Sequence, residues 1–347
     1  MRIKVIIVSV LLLIGGYSIF WFQMADRAKM MTLDWIDNSE SRLGGTKIYA
    51  GDVTVSGFPY RIIVQAASLN AVVPAGRIGA EPLSITAPIV SVVYQPWKPT
   101  HAIVVTDYFD AVFGSLDRPN LTITFDNVKS SVILDPSSMR LNNLSSVAGK
   151  VSWYRGVEME VGESSVMEKA EFHLRRAVDG LQDQMSYDLP VNRAVFFKAQ
   201  NADIKEFAST ILGEKADEFK IEALLHATEQ PDYTVLGLSN WRDEGGTLTI
   251  KSFDYGSTLS SIQLSGDLTL DENLKPLGAF DAKVVGMDIM LRRLAEDESI
   301  SQMARLLLGA QSDNETMPDE VPLAISMQNG LLYLGPILLM ELPAIIE

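Results

Sequence analysis

The chain has 347 residues, of which 47% are hydrophobic: ample for a sizeable core and too many for a disordered polypeptide. A formal net charge of −15, with no basic cluster longer than a dipeptide, excludes nucleic acid as an expected partner. The absence of cysteine removes disulfides, thiolate catalysis, cysteine metal sites and the lipid attachment of a lipoprotein together.

Arg2 and Lys4 precede an uncharged run from Val5 to Ala25, long enough at about 1.5 Å per residue to cross a hydrocarbon layer of roughly 30 Å. Residues 1–25 are therefore expected to be a transmembrane signal anchor, with Val5, Leu12, Ile14, Phe20 and Trp21 among its anchoring residues. Tyr17, Phe20, Trp21 and Phe22 crowd its far end, where aromatic rings settle at headgroups, and the basic start favours a cytoplasmic N-terminus. A cleaved signal peptide shares the basic start. Its apolar centre is shorter, however, and bulky residues occupy the positions where a small-x-small cleavage site belongs. The expected location is a single pass through the inner membrane with the rest of the chain in a periplasm.

Residues 26–45 space Met30, Leu33, Trp35 and Ile36 at helical intervals before Gly44 and Gly45, which predicts a stalk helix. The period then changes to two. From 46 to 194 runs such as "KIYAGDVTVSG", "PYRIIVQAASLNAVVP", "PLSITAPIVSVVYQP", "NLTITFDNVKSSVILD" and "VEMEVGES" alternate between Gly, Pro, Asn and Asp punctuation, as an antiparallel meander does. Gly57 and Pro59 interrupt this pattern in "VTVSGFPYRIIV". Pro59 cannot donate to a ladder, so a strand corner with Phe58 tucked under it is expected, the competing reading being a ligand contact by Phe58 or Tyr60.

Residues 195–347 form a second β-rich region containing two similar strand-helix-strand modules, 195–228 and 280–343. Each places an aspartate, Asp203 or Asp288, before a helix with one apolar face: Ile204, Phe207, Ala208 and Ile211 in the first, Ile289, Met290 and Leu294 in the second. Between them lie strands with tight turns at Gly245-Gly246 and Asp271 to Asn273. An acidic linker, "SDNETMPDE", leads to the closing apolar strand. The expected class is thus α+β and β-dominated: a large curved antiparallel sheet or sandwich with a few helices, preceded by one N-terminal transmembrane helix.

The basic-apolar start, Trp35, "SGFPYR" (56–61), "YQPWKP" (94–99), "LRRA" (174–177), "GDLTLDENLKPLG" (266–278) and "QNGLLYLGPILLMELP" (328–343) together resemble the proteobacterial family known as domain of unknown function 2125. "GDLTLDENLKPLG" and the Asp-initiated helix are also similar, more distantly, to AsmA-like envelope proteins, a resemblance that implies long sheets cradling lipid. Neither resemblance implies catalytic residues or a cofactor.

The residues agree. His101, His173 and His226 stand alone without metal-ligand spacing, and no nucleophile elbow or nucleotide-binding glycine loop occurs. Acid pairs in "EMEVGE" (158–163) and "AEDE" (295–298) read as solvated faces rather than glycosidase pairs. No catalytic, metal or cofactor residue is expected.

Two functions remain. One is a lipid-handling module whose concave apolar sheet holds or transfers acyl chains, with Leu332, Leu334 and Ile337 as candidate groove residues beside Gly330 and Gly335. It is motivated by a mean hydropathy of +0.13 in a chain with one anchor. The other is a non-catalytic envelope scaffold that binds a protein partner through an edge strand. The expected partners are membrane lipid through the N-terminal helix and either a lipid ligand or an envelope protein.

Overall fold

The computed structural model describes residues 2–76, 81–156, 164–176, 189–207, 212–229, 231, 234–257, 259–296 and 320–345. Its strands all pair antiparallel, in keeping with the β-dominated α+β class, and the chain divides into two compact units, residues 1–162 and 163–347.

The first unit opens with α1 (Arg2–Asp37), one uninterrupted helix of 36 residues and thus about 54 Å, followed by the single turn α2 (Ser39–Arg42). The run expected to be an anchor and the segment expected to be a stalk are one rod. Helical spacing carries through the boundary because neither glycine nor proline intervenes between Gly16 and Gly44.

After α2 come β1 (Lys47–Tyr49), β2 (Val53–Ser56), β3 (Ile62–Val73), β4 (Leu83–Gln95), β5 (Lys98–Ser115), β6 (Arg118–Leu134) and β7 (Leu141–Arg155). They form an open meander in which β3 to β7 each pair with the next. β1 and β2 are two pieces of one edge strand. β2 lies against the start of β3, with Val55 opposite Val64, and β1 against its end, with Ile48 opposite Ala71. Between them Gly51 and Asp52 stay tied to Ala67 by two main-chain bonds of 2.7 and 3.0 Å.

Mid-strand, the alternation of these long strands breaks. Ser68 in β3 and Asn127 in β6 adopt left-handed backbone, at φ +51° and +53°. Ser68 stands opposite Pro88, which has no N–H to give to a ladder. The left-handed residue breaks the alternation without shifting the register, which runs unchanged from Ala67 opposite Ile89 to Leu69 opposite Ala87, and Leu69 packs in one apolar cluster with Val64 and Ala66. Farther along, Val73, Leu83 and Ala111 anchor a second cluster with the stacked rings of Phe109 and Phe125, 4.5 Å apart.

The second unit holds β8 (Ser165–Arg176), β9 (Val191–Asp203), a 3-10 turn at Lys205–Phe207, β10 (Lys215–His226), α3 (Val235–Asp243), β11 (Thr247–Gly256), β12 (Ser261–Leu270), β13 (Pro276–Val285), α4 (Met287–Glu296), β14 (Glu320–Gln328), β15 (Leu331–Leu334) and β16 (Ile337–Glu341). Its strands again pair in chain order. Residues 195–228 contain β9, the 3-10 turn and β10; Ala208 and Ile211 lie outside the described residues. Tyr255 is buried under Phe207 and Phe219, its hydroxyl donating to the Gly213 carbonyl at 2.8 Å. α3 is capped by Thr234, whose hydroxyl accepts from the Gly237 N–H at 3.0 Å, and lays Leu238 and Trp241 on Leu270 and Leu274. All of "EMEVGE", half of "AEDE", "VEMEVGES" except its last residue and the acidic linker up to Glu320 lie outside the described residues, as does the side chain of Leu294.

Candidate functional site

The site begins where α1 meets the Gly57–Arg61 corner. Gly57 has φ +106°, and a Cβ there would come within 2.6 Å of the Arg61 carbonyl oxygen, so the corner needs a glycine. The chain then turns through a cis Phe58–Pro59 bond, and the Arg61 N–H closes the loop onto the Gly57 carbonyl at 3.2 Å. Two carbonyls of this corner accept from α1: Pro59 from the Tyr17 hydroxyl, and Arg61 from the Trp21 indole N–H at 3.1 Å. Phe58 is not tucked under the bend. It projects against the helix, edge-on to Trp21 at 5.4 Å and stacked on Phe22 at 5.7 Å. The ring finds its partners on α1 instead, in Trp21 and Phe22.

Beyond the corner, Trp21, Ala25 and Ala28 lie on one face of α1 and pack on Val53, Ile62, Val64 and Ala66. The two small helix residues let the backbones approach closely. Toward Met31 and Trp35, which are 72% and 41% exposed, a cavity of about 640 Å³ opens between helix and sheet. This falls inside the range of roughly 300–1,000 Å³ usual for ligand pockets. Its floor is built by cross-strand pairs, Val64 opposite Val92 and Ala66 opposite Val90, with Tyr94 opposite Ile62. Its roof is Met24, Ala28, Met31 and Trp35, and Pro99 and Met139 close one side. Arg27 supplies the single formal charge among the lining residues. Burial raises the Tyr94 phenol above its ordinary range, as expected of a hydroxyl facing an apolar wall.

A second cavity, of about 530 Å³, lies in the second unit over β11 to β14 and mixes Thr247, Asp267 and Thr269 with Leu268, Leu277 and Met327. Asp267 belongs to a partly buried chain of polar contacts. The Thr249 hydroxyl lies 2.7 Å from Asp267 Oδ1 and 3.2 Å from His226 Nε2, and His226 Nδ1 lies 3.2 Å from the Leu189 carbonyl. The Trp241 indole donates to the His226 carbonyl at 2.9 Å. A hydrolytic triad gives that second imidazole nitrogen to a carboxylate; here it faces main chain, and the threonine stands between histidine and acid. The arrangement ties β10, β11 and β12 together. Among the described residues no group of three or more His, Asp or Glu side chains is placed to hold a metal ion.

Of the residues singled out in sequence, Val5, Leu12 and Ile14 are exposed along α1, Phe20 is also exposed, and Trp21 is only 3% exposed because it is turned to the corner. α1 is long and apolar enough to cross a membrane, and its most apolar window is only 6% buried within the protein. Leu334 is buried opposite Ile325, and Leu332 is half-buried opposite Met327. Ile337 starts β16; its side chain lies outside the described residues. Neither leucine lines either cavity. The α1 groove was not read from the sequence. The alanines at 25 and 28, followed by larger residues at 31 and 35 on the same face, are the signal that marks it.

The family model described as an uncharacterized protein conserved in bacteria, DUF2125, matches residues 21–343, nearly the whole chain. No curated protein and no solved structure matches.

Proposed function

The chain belongs to the DUF2125 family, and from that premise we propose that it is an inner-membrane-anchored periplasmic envelope protein that holds a lipid acyl chain in the groove between α1 and the β3–β4 face. The observation that carries this reading is the continuity of the groove with the apolar helix. The same rod whose first twenty-odd residues suit a bilayer supplies the groove's roof in roughly its last four turns. An acyl chain leaving the membrane along α1 would exchange one apolar surface for another without crossing water.

Size and charge support a single chain with an anionic head. With a methylene taken as similar in size to a water molecule, which occupies roughly 30 Å³, the groove accommodates about twenty such groups. Arg27 stands at its lining, in a protein whose net charge is −15, to meet a carboxylate or phosphate.

The test is mass spectrometry of the full chain purified in mild detergent, beside Val92→Trp, which fills the groove from its floor. Wild type is expected to carry lipid and Val92→Trp to lose it while melting at a similar temperature. A folded wild type that never carries lipid removes the proposal and favours the scaffold reading, in which the terminal strand β16 presents its free side to a protein partner.

A further inference from the structure

We infer that the end of the first unit's sheet nearest the Gly57–Arg61 corner is itself a membrane-contacting surface, seated at the boundary between the headgroups and acyl chains of an anionic bilayer. The inference rests on the reading of α1 as membrane-spanning and is independent of any ligand in the groove.

Strand register places three connections at this end: residues 57–61 before β3, 96–97 between β4 and β5, and 135–140 between β6 and β7. Each carries a large apolar side chain into the open. Tyr60 is 75% exposed, Trp97 60% and Met139 59%, with Phe58 beside them against the helix. Tyrosine and tryptophan are the residues that favour the boundary between hydrocarbon and water.

Helix geometry sets the depth. A hydrocarbon layer of roughly 30 Å spans about twenty helical residues, so a layer entered at Val5 ends near Met24. Tyr17 and Trp21, which hold the corner, then lie about 10 and 5 Å inside that boundary, the depth at which interfacial elements bury their apolar faces. Main chain at such a depth needs hydrogen-bond partners of its own. The Gly57, Pro59 and Arg61 carbonyls have them, from the Arg61 N–H, the Tyr17 hydroxyl and the Trp21 indole.

Charge agrees. The three connections and the first residue of β5 bring Arg61, Lys98 and Arg140 to this end against one carboxylate, Asp135. That carboxylate accepts from the N–H and hydroxyl groups of both Ser137 and Ser138, which hold it well below the usual carboxylate range and engage it within its own turn. The cations remain for lipid phosphates.

Because the chain has no cysteine, single-cysteine variants take one nitroxide label each. Tyr60→Cys, Trp97→Cys, Leu12→Cys within α1, and Leu116→Cys in the turn at the far end of β5 are labelled in the full chain. They are reconstituted in vesicles of phosphatidylcholine and phosphatidylglycerol, and collision with oxygen is compared with collision with a water-soluble nickel chelate. Labels at 60 and 97 are expected to lose chelate accessibility relative to 116 and to approach 12 in oxygen accessibility. If 12 is protected while 60 and 97 match 116, the inference fails and the anchor stands. If 12 is as accessible to the chelate as 116, both fail.

Discussion

Trp21 meets two demands with one side chain: its ring fills the junction between helix and sheet, and its N–H satisfies the Arg61 carbonyl. Trp21→Phe keeps most of the apolar area and deletes the donor, so its cost should be that of an unsatisfied carbonyl, about 1–3 kcal/mol, read by chemical unfolding of the full chain in detergent. Gly57→Ala should destabilise by a similar ~1–3 kcal/mol through its positive φ and the close Arg61 carbonyl, again seen as a lower denaturation midpoint. At the other end of the chain, Leu334→Glu puts a carboxylate into a buried position opposite Ile325. It should lower the melting temperature more than the same change at exposed Leu338, because an unpaired charge is costly to bury.

At the scale of elements, the long strands of the first unit are not simple alternators. Ser68 and Asn127 take left-handed backbone inside β3 and β6, a conformation that costs most residues roughly 1–2 kcal/mol and asparagine less. Asn127→Val should therefore destabilise by about that amount, whereas Asn127→Gly should be close to neutral; parallel thermal melts separate the two. Period-two reading finds such strands and their punctuation, since β-branched runs and turn residues are local signals. It does not find the break at Ser68, where the backbone turns left-handed beside Pro88 of the next strand and Leu69 joins the cluster of Val64 and Ala66. The helix shows the same division. Residues 26–37 are legible as helical from Met30, Leu33, Trp35 and Ile36, but which face meets the sheet is set by Trp21, Ala25 and Ala28, whose partners lie some forty residues away.

For the whole molecule, the proposal that α1 is a retained anchor carries its own test. The full protein should resist extraction from membranes by carbonate or high salt and should yield its own N-terminus on sequencing; a mature chain starting near residue 26 would contradict this. The composition, the apolar helix, the antiparallel class and the family are all determined by the sequence itself, because each is written in neighbouring residues or in their order. The groove and the gathering of three exposed apolar connections at one end of the first unit's sheet were decided only by tertiary structure. The groove lies where α1 faces β3 and β4, and the sheet end follows from strand lengths that bring Tyr60, Trp97 and Met139 to the same end. Hydrophobic burial rewards such contacts by area alone, so a sequence marks which residues seek cover, and only the folded chain shows which side chains meet and where a gap remains between them.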